Sequence, residues 1–370
     1  MSVNLDLETL EFQDYNWEKP LVMAGPCSAE TEEQVMDTAR QLKEVGIKIF
    51  RAGIWKPRTR PNMFEGVGTD GLSWLKRVQK ELGMFTAVEV ANAQHVFEAL
   101  KYGVDIMWIG ARTTANPFAV QEIADALSGV EIPVMVKNPV NPDVELWIGA
   151  LERLNQAGIK KLVGIHRGFS TYNKSLYRNS PQWQIPIELK RRIPELTMIT
   201  DPSHICGNRE LLFEVSQKSM DLNFDGVMLE VHNHPDKALS DAKQQITPEA
   251  LKNLLNKLVL RHPDINNSLI MQTLEDLRLE IDKHDDTLID ILCNRMKIAE
   301  SIGKYKKDNN ITILQSSRWD ELLRHRIEKA EGKGLSEEFI LKIFRAIHQE
   351  SINHQTKIMN EEEAVADEKS

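Results

Sequence analysis

Short apolar runs of strand type alternate with amphipathic runs of helical type eight times between residue 21 and about residue 262, and few folds accept such a pattern. The strand-like runs are Leu21–Cys27, Ile47–Ile54, Met84–Val90, Asp105–Ala111, Pro133–Asn138, Lys161–His166, Thr197–Asp201 and Asp225–His232. Helix-like segments such as Thr31–Val45, Gly71–Leu82, Ala93–Tyr102 and Asn208–Leu222 lie between them. Gly46, Gly83, Gly103 and Gly158 stand where helix C-caps belong. Eight such units in about 240 residues have the period and size of a (β/α)8 barrel. A doubly wound open sheet is the runner-up, but it seldom needs eight even repeats.

Pro263-Asp264-Ile265-Asn266-Asn267 breaks the alternation, and nothing after it reads as strand. Three helices are expected, from about Ser268 to Lys307, Ser316 to Lys329 and Ser336 to Met359. The predicted architecture is therefore a TIM barrel over residues 1–262, a linker at 263–267, an all-α three-helix domain over 268–360, and an acidic, disordered tail at 361–370.

Composition narrows the function. A chain of 370 residues with 41% hydrophobic and 27% charged content can bury a sizeable core. A net charge of −9 argues against nucleic acid or an anionic membrane as partner. No apolar stretch approaches the roughly 18 residues that span a bilayer, and the first residues lack a signal-peptide core. Cys27, Cys206 and Cys293 make no disulfide framework. A cytoplasmic protein is the expectation.

In barrels the chemistry sits on the loops that follow the strands. Cys27 in Gly-Pro-Cys-Ser, His204 in Asp-Pro-Ser-His and Glu230 in Leu-Glu-Val-His each close a strand-like run, and Asp241 in Leu-Ser-Asp follows the last. One thiol, one imidazole and two carboxylates suit a divalent transition metal of borderline softness. Basic residues cluster at the same ends: Arg51, Lys56 and Arg58, then Arg112, Lys137, and His166-Arg167. Five or six cations in an acidic protein imply a substrate with several anionic groups, such as phosphates and a carboxylate. A lone surface lysine or arginine is usually just solvated; a whole set at strand ends is not.

Gly-Pro-Cys-Ser, Lys-Pro-Arg-Thr, Gly-Ala-Arg, Lys137, His-Arg-Gly, Asp-Pro-Ser-His and the closing Glu230 and Leu-Ser-Asp follow the order found in 3-deoxy-D-arabino-heptulosonate-7-phosphate (DAHP) synthases. The resemblance covers residues 21 to about 262 and is nearest to the short, β-type type I subfamily. It implies condensation of phosphoenolpyruvate with erythrose 4-phosphate, the first step of the shikimate pathway. It implies a divalent metal on Cys27, His204, Glu230 and Asp241, manganese first, with zinc, iron, cobalt and cadmium as alternatives. Arg51, Lys56, Ala111, Arg112, Lys137 and Arg167 would hold phosphoenolpyruvate; Lys56, Pro57, Arg58 and Thr59 would lie against erythrose 4-phosphate. Lys56 is the expected proton donor to the aldehyde oxygen, because a cation among cations has a lowered pKa. Ala52 and Trp55 replace a common Gly and Tyr, and the loop Gly168–Trp183 fits the family pattern poorly. Cys206 reads as a small buried residue, with an oxidation partner of Cys27 as the second reading. The related synthases that use arabinose 5-phosphate carry a different motif at Lys-Pro-Arg-Thr.

In the long helix, 100° per residue places Leu274, Leu277, Ile281, Leu288, Leu292, Ala299 and Ile302 on one stripe about 80° wide. Arg295 and Lys306 fall inside it, so an anion is required nearby, either an internal ion-pair partner or a ligand. Arg278 lies about 100° from Arg295 and would meet the same ligand only awkwardly from one chain. Leu277-Arg278-x-x-Ile281, Arg295, Gly303-Lys304-x-Lys306, Arg318 and Ser351-x-x-x-Gln355 resemble the all-helical chorismate mutases. That family implies a homodimer with exchanged first helices, Arg278 entering from the partner. Chorismate would be bound by Arg278, Arg295, Lys306, Arg318, Ser351 and Gln355, with prephenate as product. Arg295, Lys306 and Gln355 would be catalytic, the last two at the ether oxygen. Gln315 and Trp319 stand where the family often carries Asp and Glu; Trp319 removes a carboxylate, for which Asp320 could compensate. The competing expectation is a purely regulatory chorismate- or prephenate-binding module. With only about 20 residues before the first strand, the helical unit is also the expected sensor for feedback inhibition.

Overall fold

The computed structural model describes residues 3–12, 15–16, 19–56, 64–172, 176–261, 268–314 and 316–360. Two compact units emerge, residues 1–263 and 264–370. In the first, eight parallel strands close a barrel: β1 Leu21–Gly25, β2 Ile49–Arg51, β3 Phe85–Val90, β4 Ile106–Ile109, β5 Val134–Lys137, β6 Leu162–His166, β7 Thr197–Thr200 and β8 Gly226–Glu230. Each pairs with the next, and β8 returns to β1 with Gly226 opposite Leu21 and Glu230 opposite Gly25. The eight expected strands are all present, each shorter than its apolar run. Strand β2 shows why: past Arg51 the chain turns at Gly53, where a Cβ would stand 2.4 Å from the Cys27 carbonyl oxygen.

Helices cover the outside, one after each strand: α1 Glu32–Glu44, α2 Asp70–Arg77, α3 Ala93–Tyr102, α4 Pro117–Ala126, α5 Val144–Gln156, α6 Gln184–Arg192, α7 Leu212–Asp221 and α8 Pro248–Lys257. Thr31 caps Glu32–Glu44 by accepting from the Gln34 amide, and Asn92 caps Ala93–Tyr102 in the same way from His95. Gly103 ends that helix with φ of 69° and Gly83 ends its predecessor with φ of 64°, both in the left-handed region reserved in practice for glycine. The expected helix over Gly71–Leu82 is α-helical over Asp70–Arg77 and a π-turn over Val78–Leu82.

Strand alternation sorts the core into two sets. Phe50, Val88, Met107, Val136 and Leu229 face the helices, whereas Met23, Ile49, Ala87, Trp108, Met135, Ile165, Ile199 and Met228 fill the barrel. Leu10, from the N-terminal segment, joins the inner set. Two positions further along each strand, the same inward parity delivers Arg51, Glu89, Gly110, Lys137, Arg167, Asp201 and Glu230 to the mouth. The barrel is thus apolar through its lower layers and charged at its top.

The second unit contains α-helices Ser268–Asp308, Ser316–Glu331 and Glu337–Asn360, here α9, α10 and α11. The apolar stripe of α9 is divided: Ala299 is buried, while Leu277, Ile281, Leu288 and Ile302 remain exposed within one chain. Gly303 permits the close approach of α9 to α11, since a Cβ there would lie 3.1 Å from the Gln355 Cα. No helix among the described residues is long and apolar enough to cross a membrane.

Gly25 has φ of 152°, and a Cβ on it would stand 2.0 Å from the Arg51 carbonyl oxygen. Gly25→Ala is expected to destabilise the barrel by at least about 3 kcal/mol, because backbone must move to admit the methyl group. The urea midpoint should fall at unchanged slope; a wild-type midpoint would show that β1 and β2 are more loosely joined than described.

Candidate active sites

Cys27, Glu230 and Asp241 offer ligand atoms that all lie within 4.8 Å of one another. Glu230 ends β8, and its backbone amide donates to the Ser203 hydroxyl at 2.9 Å. Cys27 lies two residues past β1, where its amide donates to Gln245 Oε1 at 3.0 Å. Asp241 sits on the loop after β8 with φ of 44°, a left-handed conformation uncommon for aspartate that aims its carboxylate back at the mouth. His204 adjoins the three, with Nε2 3.8 Å from Glu230 Oε1. It does not close β7 as expected: the strand ends at Thr200, Asp201 caps the short helix Pro202–Cys206, and that helix carries His204. Proline at a first helical position, capped by the preceding aspartate, favours this turn. Arg112 is likewise on a short helix, Ala111–Thr114, rather than a strand end.

The charges are mutually dependent. Burial raises the Cys27 thiol to about 11, reinforced by Glu230 and Asp241, and its Sγ donates to Asp241 Oδ2 at 3.6 Å. Burial works against ionised Glu230, yet His204, Arg51 and Lys56 outweigh it and hold the carboxyl below its ordinary range. Asp201 is held well below its ordinary value, His204 and Lys137 overcoming its burial. Lys137 Nζ donates to it at 2.7 Å, and His204 Nδ1 lies 2.8 Å away. Arg51 is 1% exposed, donates to Glu230 Oε1 at 3.3 Å and lies over Trp108 at 4.9 Å, while its Nε and Nη1 have no partner among the described residues.

Lys56 Nζ donates to the Cys27 carbonyl oxygen at 2.6 Å. The expectation of a lowered pKa is corrected: burial lowers it, but Cys27, Glu230 and Glu89 more than compensate and leave it above the ordinary lysine value. His166 is no member of the cationic set either. It points outward, edge-on to Trp183 and bonded to the Pro181 carbonyl at 2.7 Å, and burial lowers it to about 3. The mouth residue of β6 is Arg167, pulled down to about 10 by burial.

Several participants escaped the sequence reading. Glu89 accepts from Trp108 Nε1 at 2.9 Å. Gln244 Nε2 donates to Glu230 Oε2 at 2.6 Å, and Arg178 reaches Asp241 Oδ1 at 3.1 Å and Gln244 Oε1 at 2.7 Å. Strand parity could have identified Glu89 and Asp201; nothing in local pattern signals Gln244 or Arg178. Pro57, Arg58 and Thr59 lie outside the described residues.

In the helical unit, Arg295 Nη1 donates to the Ser351 hydroxyl, Lys306 Nζ to the Ile313 carbonyl at 2.6 Å, and Gln355 Nε2 to the Ser351 carbonyl at 3.2 Å. Gln355 is buried. Arg278 is exposed beside Glu275 at 3.5 Å, and 17 positions of helix, roughly 25 Å, separate it from Arg295. The four are not gathered within one chain. Gln315 and the side chain of Arg318 lie outside the described residues.

The closed (β/α)8 barrel thus carries a thiol, an imidazole, carboxylates and cations at its mouth, the end at which barrel enzymes hold their chemistry. The chain belongs to the DAHP synthetase I family, whose model matches residues 15–263, and the chorismate mutase type II model matches residues 277–356. Phospho-2-dehydro-3-deoxyheptonate aldolase of Thermotoga maritima is 33% identical over 237 residues, 64% of this chain and 68% of that protein. A crystal structure of that aldolase, a DAHP synthase, aligns at 31% identity with a TM-score of 0.57, over 64% of this chain and 67% of that one. A 2-dehydro-3-deoxyphosphooctonate aldolase of Desulfotalea psychrophila is 29% identical, over 65% of this chain and 88% of its own. The chain is an enzyme that fuses a DAHP synthase domain to a chorismate mutase domain.

Neutral, buried His166 is expected to make the barrel acid-sensitive. Its folded pKa of about 3 lies below the ordinary 6.5, so the unfolded chain binds a proton that the folded chain refuses. Its contribution is intact above about pH 6.5 and is lost as pH falls towards 3, by up to about 1.4 kcal/mol per pH unit. His166→Gln should lose visibly less stability than wild type between pH 6.5 and 4 in urea titrations. Parallel losses in both proteins would contradict this origin.

Proposed function

We propose that the barrel condenses phosphoenolpyruvate with erythrose 4-phosphate to DAHP and phosphate, and that the helical unit rearranges chorismate to prephenate. The observation that carries the first half is Arg51: a buried guanidinium with two unpartnered nitrogens calls for an anionic ligand. Lys137 and Arg167 flank it at the same inward parity, and Arg112 acts electrostatically on Arg167. Together they suit the phosphate and carboxylate of phosphoenolpyruvate, leaving the enol carbon free to attack the aldehyde carbon. Water then adds at the phosphate-bearing carbon, and phosphate leaves. Lys56 serves as a fixed, protonated donor to the aldehyde oxygen, which gains negative charge as the new bond forms. Pro57, Arg58 and Thr59 follow Lys56 in the segment assigned to erythrose 4-phosphate. The donor set Cys27, His204, Glu230 and Asp241 suits a divalent metal, manganese first, which would supply Lewis acidity.

For the mutase, Arg295, Lys306, Ser351 and Gln355 form one wall and Arg278 comes from a second copy. The exposed apolar face of α9, with Leu277 and Ile281 each more than half exposed, supports helix exchange in a homodimer. Arg278, Arg295 and Arg318 hold the two carboxylates of chorismate, while Lys306 and Gln355 meet the ether oxygen where charge grows as its C–O bond breaks. Preorganised donors suffice, with no general acid or base. Because chorismate and prephenate lie downstream of the barrel reaction, the same helical site can feed back on it, provided its ligand binds one arrangement of the enzyme better than another.

Assays of the full chain with both substrate sets test this reading. Lys56→Ala should abolish only condensation. Arg295→Ala should cost only the rearrangement, by about 2–4 kcal/mol of transition-state stabilisation. Arg278→Ala and Arg295→Ala chains, mixed and re-dimerised, should recover activity; dimers that stay inactive would place the site within one chain. Prephenate or chorismate should slow condensation, and an unchanged rate at saturation would reject the feedback role alone.

A further inference from the structure

His348 is a side chain that the reading above does not use. It lies on α11 three residues before Ser351 and seven before Gln355, so all three share the face that meets α9. From α10, Trp319 lies flat on its imidazole, with ring centroids 3.9 Å apart and planes inclined by 14°. The imidazole Nε2 is buried without a hydrogen-bond partner among the described residues. Helices α10 and α11 therefore meet at this ring.

The surrounding groups make this imidazole nitrogen chemically specific. Arg295 and Lys306 act electrostatically on His348 from α9, and Arg326 of α10 acts on Arg295. Burial first, then Arg295 and Lys306, hold His348 below the ordinary histidine value, so it is a neutral ring at neutral pH. Cations so placed take charged oxygens. A neutral imidazole among them is a poor competitor for a carboxylate but a good partner for an uncharged oxygen.

We propose that Trp319 and His348 form a recognition element of the helical site, in which Trp319 fixes the imidazole and His348 Nε2 hydrogen-bonds an uncharged oxygen of a hydroxylated dicarboxylate held by Arg295 and Lys306. This rests on the assignment of a dicarboxylate to the site. Trp319, standing where the mutase family often has an acidic residue, thereby becomes a platform for a different polar group. Flat stacking leaves Nε2 at the ring edge without a partner among the described residues, whereas an unstacked histidine would sample several rotamers.

Trp319 is the sole tryptophan of residues 264–370, so ligand binding is readable as the fluorescence change lost in Trp319→Phe. The full chain, His348→Phe and His348→Gln are titrated with prephenate and assayed for chorismate loss, with thermal midpoints measured alongside. His348→Phe keeps a stacking ring without a hydrogen bond and should weaken prephenate binding and raise the KM for chorismate about tenfold, with an unchanged midpoint. His348→Gln, which retains a donor and an acceptor, should recover most of that loss. Wild-type affinity in His348→Phe, or equal impairment in both variants, would overturn the proposal while leaving the dicarboxylate assignment standing. A wild-type chain that neither binds prephenate nor turns over chorismate would overturn both.

Discussion

Buried charges at the barrel mouth hold each other in place, and everything else at the site depends on that. Arg51 with Glu230 and Lys137 with Asp201 are pairs almost fully withdrawn from water. Such a pair adds little net stability against apolar residues of equal size, but removing one partner strands a charge at a cost of about 3–5 kcal/mol. Each member therefore fixes its neighbours. Asp201 binds Lys137 and contacts His204, Glu230 binds Arg51 and Gln244, and Gln244 is gripped by Arg178. Arg51 Nε and Nη1 remain without a partner among the described residues, which is the opening the proposed anionic ligand would fill.

Strand parity places that network. An inward apolar residue two positions earlier, such as Ile49 before Arg51 or Met228 before Glu230, commits the next inward residue to the mouth. This is why the barrel and most cationic residues were legible in the sequence. The same rule, followed strictly, exposes the errors: His166 is out of phase and Arg167 in phase, and Asp201 rather than His204 continues β7. The raised Lys56 pKa was not legible, because it depends on Cys27, Glu230 and Glu89, which approach from elements well separated in sequence. Arg178 and Gln244 lie on loops, where no period constrains direction.

The helical unit was readable for a different reason. A 41-residue helix carries its pattern over many turns, so the stripe that includes Arg295 and Lys306 could be drawn without a structure. Gly303 appeared only as part of a motif; its role is the close crossing at Gln355. What periodicity could not supply was the partner of Trp319, since a substitution shows what has been lost but not the imidazole 3.9 Å away that replaces it.

We propose that one thiol, one imidazole and two carboxylates, brought together by barrel closure, make a single metal centre. Its most direct test is X-ray absorption at the metal edge of the full chain loaded with one equivalent of zinc. The account predicts one sulfur scatterer near 2.3 Å beside nitrogen and oxygen ligands, lost in Cys27→Ser. A shell of nitrogen and oxygen alone, identical in wild type and Cys27→Ser, would contradict it.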